Sequence, residues 1–283
     1  MATFINQATL SYSGGTVNSN IATGEILEVL SATKTAVVDT YTNGAEITYV
    51  INIVNSSATA FSGLSITDDL GGYTFESATV YPLSYVADSV KYFINGVLQA
   101  TPTVTAGPPL VINGISVPAN AIVTIAYTAE TTAYAPPVAD GIVTNTALIS
   151  GGGITEITVT ETITSDSSAD LTITKTINPS VVTENGQITY TFIIQNTGNT
   201  AAVATDNVIV TDTFNPVLTG ITVTYNGSVW STPANYTYSE ATGEFSTVAG
   251  AITVPAATFV QDTVTGEWVT TPGTATLVVT GTI

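Results

Sequence analysis

No cysteine and no histidine occur in the 283 residues. Without cysteine the fold has neither disulfides nor thiolate metal sites to brace it, so any covalent brace must use other chemistry. Without histidine it lacks the usual zinc ligand, the usual general base and the side chain that ordinarily titrates near neutrality, which excludes His-based triads. Basic residues are scarce as well: Lys34, Lys91 and Lys175 stand against 21 acidic residues, for a formal net charge of -18. Such a field repels nucleic acid and anionic membranes, and neither is expected as a partner. Met1-Ala2-Thr3-Phe4-Ile5-Asn6 has neither the basic region nor the apolar core of an export signal, and no apolar run reaches the length of a membrane span. The chain is therefore expected to be soluble, without membrane insertion and without a cofactor, as a mature form or one released by lysis, with its export route unwritten.

What remains is β-forming. Charged residues make up only 8% of the chain, and Thr, Ser, Asn and Gly carry most of its polar surface. Short alternating runs separated by Gly, Pro and Asn turns recur along the whole length, with no amphipathic helical stretch. Two copies of one pattern are visible. Each opens at Lys34-Thr35 or Lys175-Thr176. Each continues through an alternating strand, Ile47, Tyr49, Ile51 and Ile53 or Ile188, Tyr190, Phe192 and Ile194. Then come Asn55 or Asn196, and Leu64-Ser65-Ile66-Thr67-Asp68 or Val208-Ile209-Val210-Thr211-Asp212. The second halves diverge, but Pro118-Ala119-Asn120-Ala121-Ile122-Val123 aligns with Pro272-Gly273-Thr274-Ala275-Thr276-Leu277. The expected fold is all-β, two immunoglobulin-like sandwiches in tandem with an N-terminal donor-strand arm. Domain 1 is expected over 27–167 and domain 2 over 168–283. They are joined by Thr164-Ser165-Asp166-Ser167-Ser168, a link short enough to imply an end-to-end arrangement, after an arm of residues 1–26.

Leu171-Thr172-Ile173-Thr174-Lys175-Thr176, Gly186-Gln187-Ile188-Thr189-Tyr190-Thr191-Phe192-Ile193-Ile194-Gln195-Asn196-Thr197-Gly198 and Val210-Thr211-Asp212-Thr213-Phe214 resemble the bacterial surface repeat known as domain of unknown function eleven. The first repeat resembles it more loosely, with Asn55-Ser56-Ser57 in place of Asn-Thr-Gly. The resemblance implies an immunoglobulin-like module of cell-surface architecture with no enzymatic activity.

Phe4-Ile5-Asn6-Gln7-Ala8-Thr9-Leu10-Ser11 reads as a second copy of Val143-Thr144-Asn145-Thr146-Ala147-Leu148-Ile149-Ser150, while Thr280-Gly281-Thr282-Ile283 corresponds to the region of Thr128 in the first repeat. The second domain is thus expected to lack strands that the arm carries on Phe4, Asn6, Ala8, Leu10 and Tyr12. A subunit of this kind completes its fold by closing on itself or by polymerising head to tail with itself.

Residues two apart share a face of a strand. That parity sets Lys34 among Ala32, Ala36 and Val38, and Lys175 among Leu171, Ile173 and Ile177. It sets Asp68 with Leu64, Ile66 and Leu70, and Asp212 with Val208, Val210 and Phe214. Asn145 keeps company with Val143, Ala147 and Ile149, and Asn6 with Phe4, Ala8 and Leu10. Buried ionised groups cost several kcal/mol unless paired. One expectation is a hydrogen-bonded ion pair, and another is a solvated lysine at a sheet edge. The sharper one is an isopeptide bond similar to those of Gram-positive pilins and adhesins, where desolvation favours a neutral amine beside a protonated acid. Lys34 would then bond Asn145 within domain 1 and Lys175 would bond Asn6 of a neighbouring subunit, with Asp68 and Asp212 as the acids, or alternatively Glu46, Glu161 or Glu184.

Asp68-Asp69, Asp206-Asn207 and Asp262 lack the spacing of a calcium loop and are expected in solvated turns, so no metal is expected. Asn55-Ser56-Ser57, Asn226-Gly227-Ser228 and Asn235-Tyr236-Thr237 match the glycosylation sequon by chance in so Thr-rich a chain, and Trp230, Tyr236 and Tyr238 are expected in cross-strand packing before any ligand platform. The expected function is a filament subunit of the extracellular, cell or spore surface. A monomeric adhesin or stalk module is the alternative, and a carboxylate hydrolase has no acid pair to support it.

Overall fold

The computed structural model describes residues 2–26 and 28–283. The expected start of domain 1 at Leu27 lies outside them. The chain is nearly all strand. One 3-10 turn at Ala204–Asp206 is the exception among the described residues. Two compact units form, one of residues 1–39, 44–132 and 143–163, the other of 40–43, 133–142 and 164–283.

The arm consists of β1 (Ala2–Asn6), β2 (Thr9–Tyr12), β3 (Gly15–Asn18) and β4 (Ala22–Ile26). Among the described residues its strands pair with one another, β1 with β4 and β2 with β3, in a two-stranded antiparallel ribbon. Phe4, Leu10 and Tyr12 are all more than half exposed, Leu10 reaching 64%. An isolated ribbon of this kind has nothing to bury its apolar side chains against and is marginal in water.

The first sandwich is built in chain order from β5 (Leu30–Ala36), β6 (Thr40–Tyr41), β7 (Glu46–Asn55), β8 (Phe61–Asp68), β9 (Tyr73–Phe75), β10 (Ala78–Val80) and β11 (Leu83–Tyr85). It continues through β12 (Lys91–Ile94), β13 (Val97–Leu98), β14 (Thr103–Thr105), β15 (Leu110–Val117), β16 (Ile122–Thr131), β17 (Ile142–Gly151) and β18 (Ile157–Ser165). One sheet has the order β13-β12-β16-β7-β5, and the facing sheet runs β14-β15-β8-β17-β18-β6. In immunoglobulin lettering β5, β7, β16 and β12 are strands A-B-E-D and β8, β17 and β18 are C-F-G, with β15 inserted between D and E and added beside C. Alternation does the sorting: Ile47, Tyr49, Ile51 and Ile53 of β7 are buried, as are Val123, Ile125 and Tyr127 of β16 opposite them.

The second sandwich contains β19 (Leu171–Asn178), β20 (Gln187–Asn196), β21 (Thr211–Thr213), β22 (Thr219–Tyr225), β23 (Ser228–Val229), β24 (Tyr236–Tyr238), β25 (Glu244–Thr247), β26 (Thr258–Gln261), β27 (Trp268–Thr271) and β28 (Gly273–Thr282). Its main sheet, β19-β20-β28-β22-β23, repeats A-B-E-D. The facing sheet is only β21-β25-β24, so β21, in the place of strand C, is an edge strand where its counterpart β8 has neighbours on both sides. The positions of strands F and G are unoccupied among the described residues.

Two features recur in both units for physical reasons. Asn95-Gly96 and Asn226-Gly227 turn the hairpins β12-β13 and β22-β23 with positive φ at both residues, the geometry an Asn-Gly pair adopts with least strain. Asn55 and Asn196 end β7 and β20 with buried amides. Asn55 accepts from Ser57 N and donates to Thr59 O and Pro118 O, and Asn196 accepts from Asp170 N and Gly198 N and donates to Thr200 O and Pro255 O. They tie the end of strand B to the loop beyond it. Strand pairing also corrects the second-half alignment by two residues: Val123 faces Ile53 as Ala275 faces Ile194, so Tyr127 corresponds to Val279.

Asn196→Ala strands several of these backbone groups, each worth about 1–3 kcal/mol when left unsatisfied. Urea unfolding of the second unit should show a loss of at least about 2 kcal/mol, whereas an exposed Thr→Ala change on the same strand should stay within about 0.5 kcal/mol.

Candidate functional site

Lys34 sits near the end of β5, opposite Ile51 of β7, on the inner face that parity assigned to it. Asp68 ends β8 on the facing sheet, and Asn145 lies on β17, whose pairing with β8 sets Ala147 opposite Asp68. The side chains of Lys34 and Asp68 are fully enclosed (0% exposed each), with Nζ 2.7 Å from Oδ2. The same Oδ2 accepts a hydrogen bond of 2.5 Å from the Tyr127 hydroxyl, and Asn145 Nδ2 donates to that hydroxyl at 3.1 Å. Asp68 Oδ1 accepts from Leu70 N at 3.0 Å, which fixes the carboxylate plane. A lysine, an acid and an asparagine from three strands are thereby gathered inside one core, joined through a tyrosine that parity alone did not single out. The carboxylate bonded to Lys34 is that of Asp68, and Glu161 contributes only a weaker field.

The surroundings are aromatic and enclosed. The Lys34 amine lies 5.0 Å from the centre of the Tyr49 ring, which stacks on Tyr127 at 5.5 Å. Burial pushes the Lys34 amine below its ordinary pKa, against the attraction of Asp68. Burial, reinforced by the Asp68 charge, holds the Tyr127 hydroxyl well above its ordinary value, so it stays protonated. Asn145 Oδ1 is buried without a hydrogen-bond partner among the described residues. An orphaned acceptor of this kind costs about 1–3 kcal/mol.

In the second unit Lys175 occupies the equivalent place, opposite Phe192 of β20, and contacts Asp212 Oδ2. Its amine lies over the rings of Tyr190 (4.5 Å), Phe214 (5.3 Å) and Phe192 (5.4 Å). The enclosure expected from parity is absent. Lys175 and Asp212 side chains are 39% and 18% exposed, and Ile173 and Ile177 on the same face are open as well. The reason is the facing sheet: β17 and β18 extend it in the first sandwich, whereas among the described residues no strand stands in their place beside β21. Asn6, the remaining residue of the set, lies on exposed β1.

The other sequence candidates resolve into structure. Asp69 accepts from Gly71 N in its turn and from Thr146 N of β17, while Asp206 accepts from Val203 N and Asp262 from Val264 N and Thr265 N as turn caps. Trp230 stacks on Tyr225 at 4.7 Å, Tyr236 packs on Phe245, and the Tyr238 hydroxyl bonds the backbone of Leu218. These rings pack within the second unit. Among the described residues no group of His, Cys, Asp and Glu could hold a metal ion, and no helix is long and apolar enough to cross a membrane. Tyr127 was missed although its signal was present: it shares the inner-face parity of Val123 and Ile125, and a hydroxyl placed there needs a partner.

No protein-family model matches the chain, that of the surface repeat included, and no curated protein matches it. Among solved structures it is similar to the pilus backbone RrgB from Streptococcus pneumoniae, at 14% identity and TM-score 0.35, covering 86% of this chain and 55% of that one. It is also similar to BcpA, the major pilin subunit of Bacillus cereus, at 9% identity and TM-score 0.35, covering 96% and 73%. A family 123 glycoside hydrolase from Clostridium perfringens matches at 11% identity and TM-score 0.32, covering 48% of this chain and 27% of that one. At such low identity and superposition, the sandwich assignment rests on strand order and the chemistry on the geometry above.

Burial makes the two pairs unequal. Asp68→Ala leaves an enclosed amine unpaired and should cost the first unit about 3–5 kcal/mol, whereas Asp212→Ala, at a partly solvated pair, should cost about 1 kcal/mol or less. Denaturant titration of the two variants is the check, and equal losses would contradict the difference in enclosure.

Proposed function

We propose that the chain is the structural subunit of an extracellular filament of a cell or spore surface. In it, residues 2–26 of one copy add to the second sandwich of the next as strands F and G. The observation that carries this reading is the edge position of β21 beside an uncovered apolar face, set against β8, whose free side is filled by β17. The arm has the required form. It is an exposed antiparallel ribbon in which Phe4–Ser11 repeats the sequence pattern of Val143–Ser150. Transferring the β17 register places Ala8 opposite Asp212 and Leu10 opposite Val210, and brings Phe4, Ala8, Leu10 and Tyr12 to the inner face. Each large apolar side chain buried there contributes roughly 1.5–3 kcal/mol before ordering costs. A strand added to an edge contributes backbone hydrogen bonds as well. Because donor and acceptor surfaces differ, each docking leaves a free arm and a free slot, and the contact propagates instead of closing.

Asn6 then stands to Asp212 as Asn145 stands to Asp68, two residues along the donor from the one opposite the acid. In both places the reaction is an amide exchange. The lysine Nζ, having passed a proton to the aspartate, attacks the asparagine Cγ; the new C–N bond forms, the bond from Cγ to Nδ2 breaks, and ammonia leaves. Lys34 and Asn145 brace the first sandwich, and Lys175 and Asn6 join subunits, with Asp68 and Asp212 as the acids and no turnover on any other substrate. The lowered pKa of Lys34 supports the first of these, since the neutral amine is the nucleophile.

Removal of residues 2–26 should yield monomers by size-exclusion chromatography and electron microscopy; long fibres from the truncated chain would overturn strand donation. Intact fibres boiled in detergent should persist as a ladder, and Asn6→Ala or Lys175→Ala should reduce the ladder to monomer while fibres still assemble. Clean dissociation of wild-type fibres on boiling would leave strand donation without its covalent lock.

A further inference from the structure

Lys34 Nζ donates to Asp68 Oδ2 at 2.7 Å, the Tyr127 hydroxyl donates to the same oxygen at 2.5 Å, and Asn145 Nδ2 donates to the Tyr127 oxygen at 3.1 Å. These contacts form a continuous path from the attacking nitrogen to the nitrogen that must leave. Resting on the amide-exchange reading above, we infer that Tyr127 is the proton relay of the Lys34–Asn145 bond, and that the second sandwich lacks this relay because Val279 stands in its place.

The proton balance requires a carrier. After Lys34 has given one proton to Asp68, its neutral nitrogen attacks Asn145 Cγ and becomes cationic. The former amide nitrogen becomes a pyramidal amine that cannot depart until it gains a proton. Tyr127 passes its hydroxyl hydrogen to that nitrogen and takes the proton held on Asp68, and Asp68 recovers one from the former lysine nitrogen. Ammonia leaves, the carbonyl reforms as the new amide, and Tyr127 and Asp68 end as they stood at attack. One proton has moved from the attacking to the leaving nitrogen with none drawn from solvent. Tyr127 suits this task because burial keeps its hydroxyl un-ionised, so it always has a hydrogen to give. Water is a poor substitute, since Lys34, Asp68, Tyr127 and Asn145 are all enclosed.

In the second sandwich β28 pairs with β20 so that Val279 faces Tyr190, as Tyr127 faces Tyr49. No hydroxyl is available at that position. The bond between subunits has to bring that proton to the leaving nitrogen without a tyrosine, and the first sandwich matures faster than the fibre locks.

The test uses the full chain carrying Asn6→Ala, so that mass reports only the Lys34–Asn145 bond, sampled by intact-mass measurement after cell-free synthesis. The parent chain should lose one ammonia at a rate flat through neutral pH, because the exchanged proton stays inside. The ionisable groups facing the amine, Asp68, Asp69, Glu161 and the Tyr49 and Tyr127 hydroxyls, are the ones able to bend that profile. Tyr127→Phe keeps the ring and removes the relay. It should slow the loss roughly 10²-fold and make the rate fall as pH rises, because the departing nitrogen then takes its proton from solvent. An unchanged rate and profile in a cooperatively folded Tyr127→Phe chain overturns the relay. For the case that this variant does not fold, the parent chain in heavy water decides: slower ammonia loss supports protons in flight, and an equal rate overturns them. A parent chain that keeps its full mass sinks the amide-exchange reading itself, an outcome separate from failure of the relay.

Discussion

A lysine on the inner face of the first strand constrains the first sandwich. Its ammonium cannot be left alone in an apolar core, so the facing sheet must bring a carboxylate to it, and the carboxylate in turn needs donors for its remaining lone pairs. Asp68 answers both demands, with Lys34 and Tyr127 on one oxygen and Leu70 N on the other. The strands that carry these groups must then hold one register, because a one-residue slip of β8 or β16 would turn Asp68 or Tyr127 outward. The buried pair thus specifies how the two sheets face each other, and leaves Asn145 Oδ1 as the acceptor in the cluster without a donor.

The second sandwich carries the same lysine and acid in a different environment. Its A-B-E-D sheet is complete and its hydrophobic cluster includes Tyr190, Phe192, Phe214, Phe245 and Leu277, yet the inner face of β19 is open. Aromatic faces under Lys175 offset part of the ammonium's desolvation, and solvent supplies the rest. An exposed strand edge beside an exposed apolar face is a liability for a protein that remains single. In the proposed filament the ribbon of residues 2–26, with its matching alternation, would make that edge an acceptor. The strand donation proposed above would answer both features with one contact between copies, where an isolated surface module would leave the edge and the face uncovered.

The sequence and the structure part company at identifiable residues. Parity placed Lys34, Asp68 and Asn145 on inner faces, where they are found. Parity also placed Lys175 and Asp212 inside, but says nothing about whether a facing layer is present, and there the face is open. The alignment of the second halves slipped by two residues because Thr and Ala recur at every second position, so one pleat period of displacement leaves the pattern intact. That displacement hides the equivalence of Tyr127 and Val279, which strand pairing reveals. Tyr92 and Tyr225 are equivalent residues whose hydroxyls each donate to a backbone carbonyl at 2.5 Å, that of Ser116 and that of Thr253, which no sequence pattern shows, because a tyrosine in a strand looks the same whether its hydroxyl meets solvent or backbone. Asn55 and Asn196 mark the repeat in the sequence, while their work as turn anchors depends on loops distant in sequence.

By itself the sequence determined the class of the fold, its duplication, the inner-face placement of one lysine, one acid and one asparagine, and the exclusion of thiol and imidazole chemistry. These follow from composition and from the two-residue period of a strand, which are local properties. Tertiary structure alone decided which carboxylate meets Lys34, that a tyrosine joins the acid to the amide, and that one site is sealed while its twin is open. Those outcomes depend on distances between strands far apart in the chain and on the exclusion of water by whichever layer lies opposite, and neither is encoded in the alternation of any single strand.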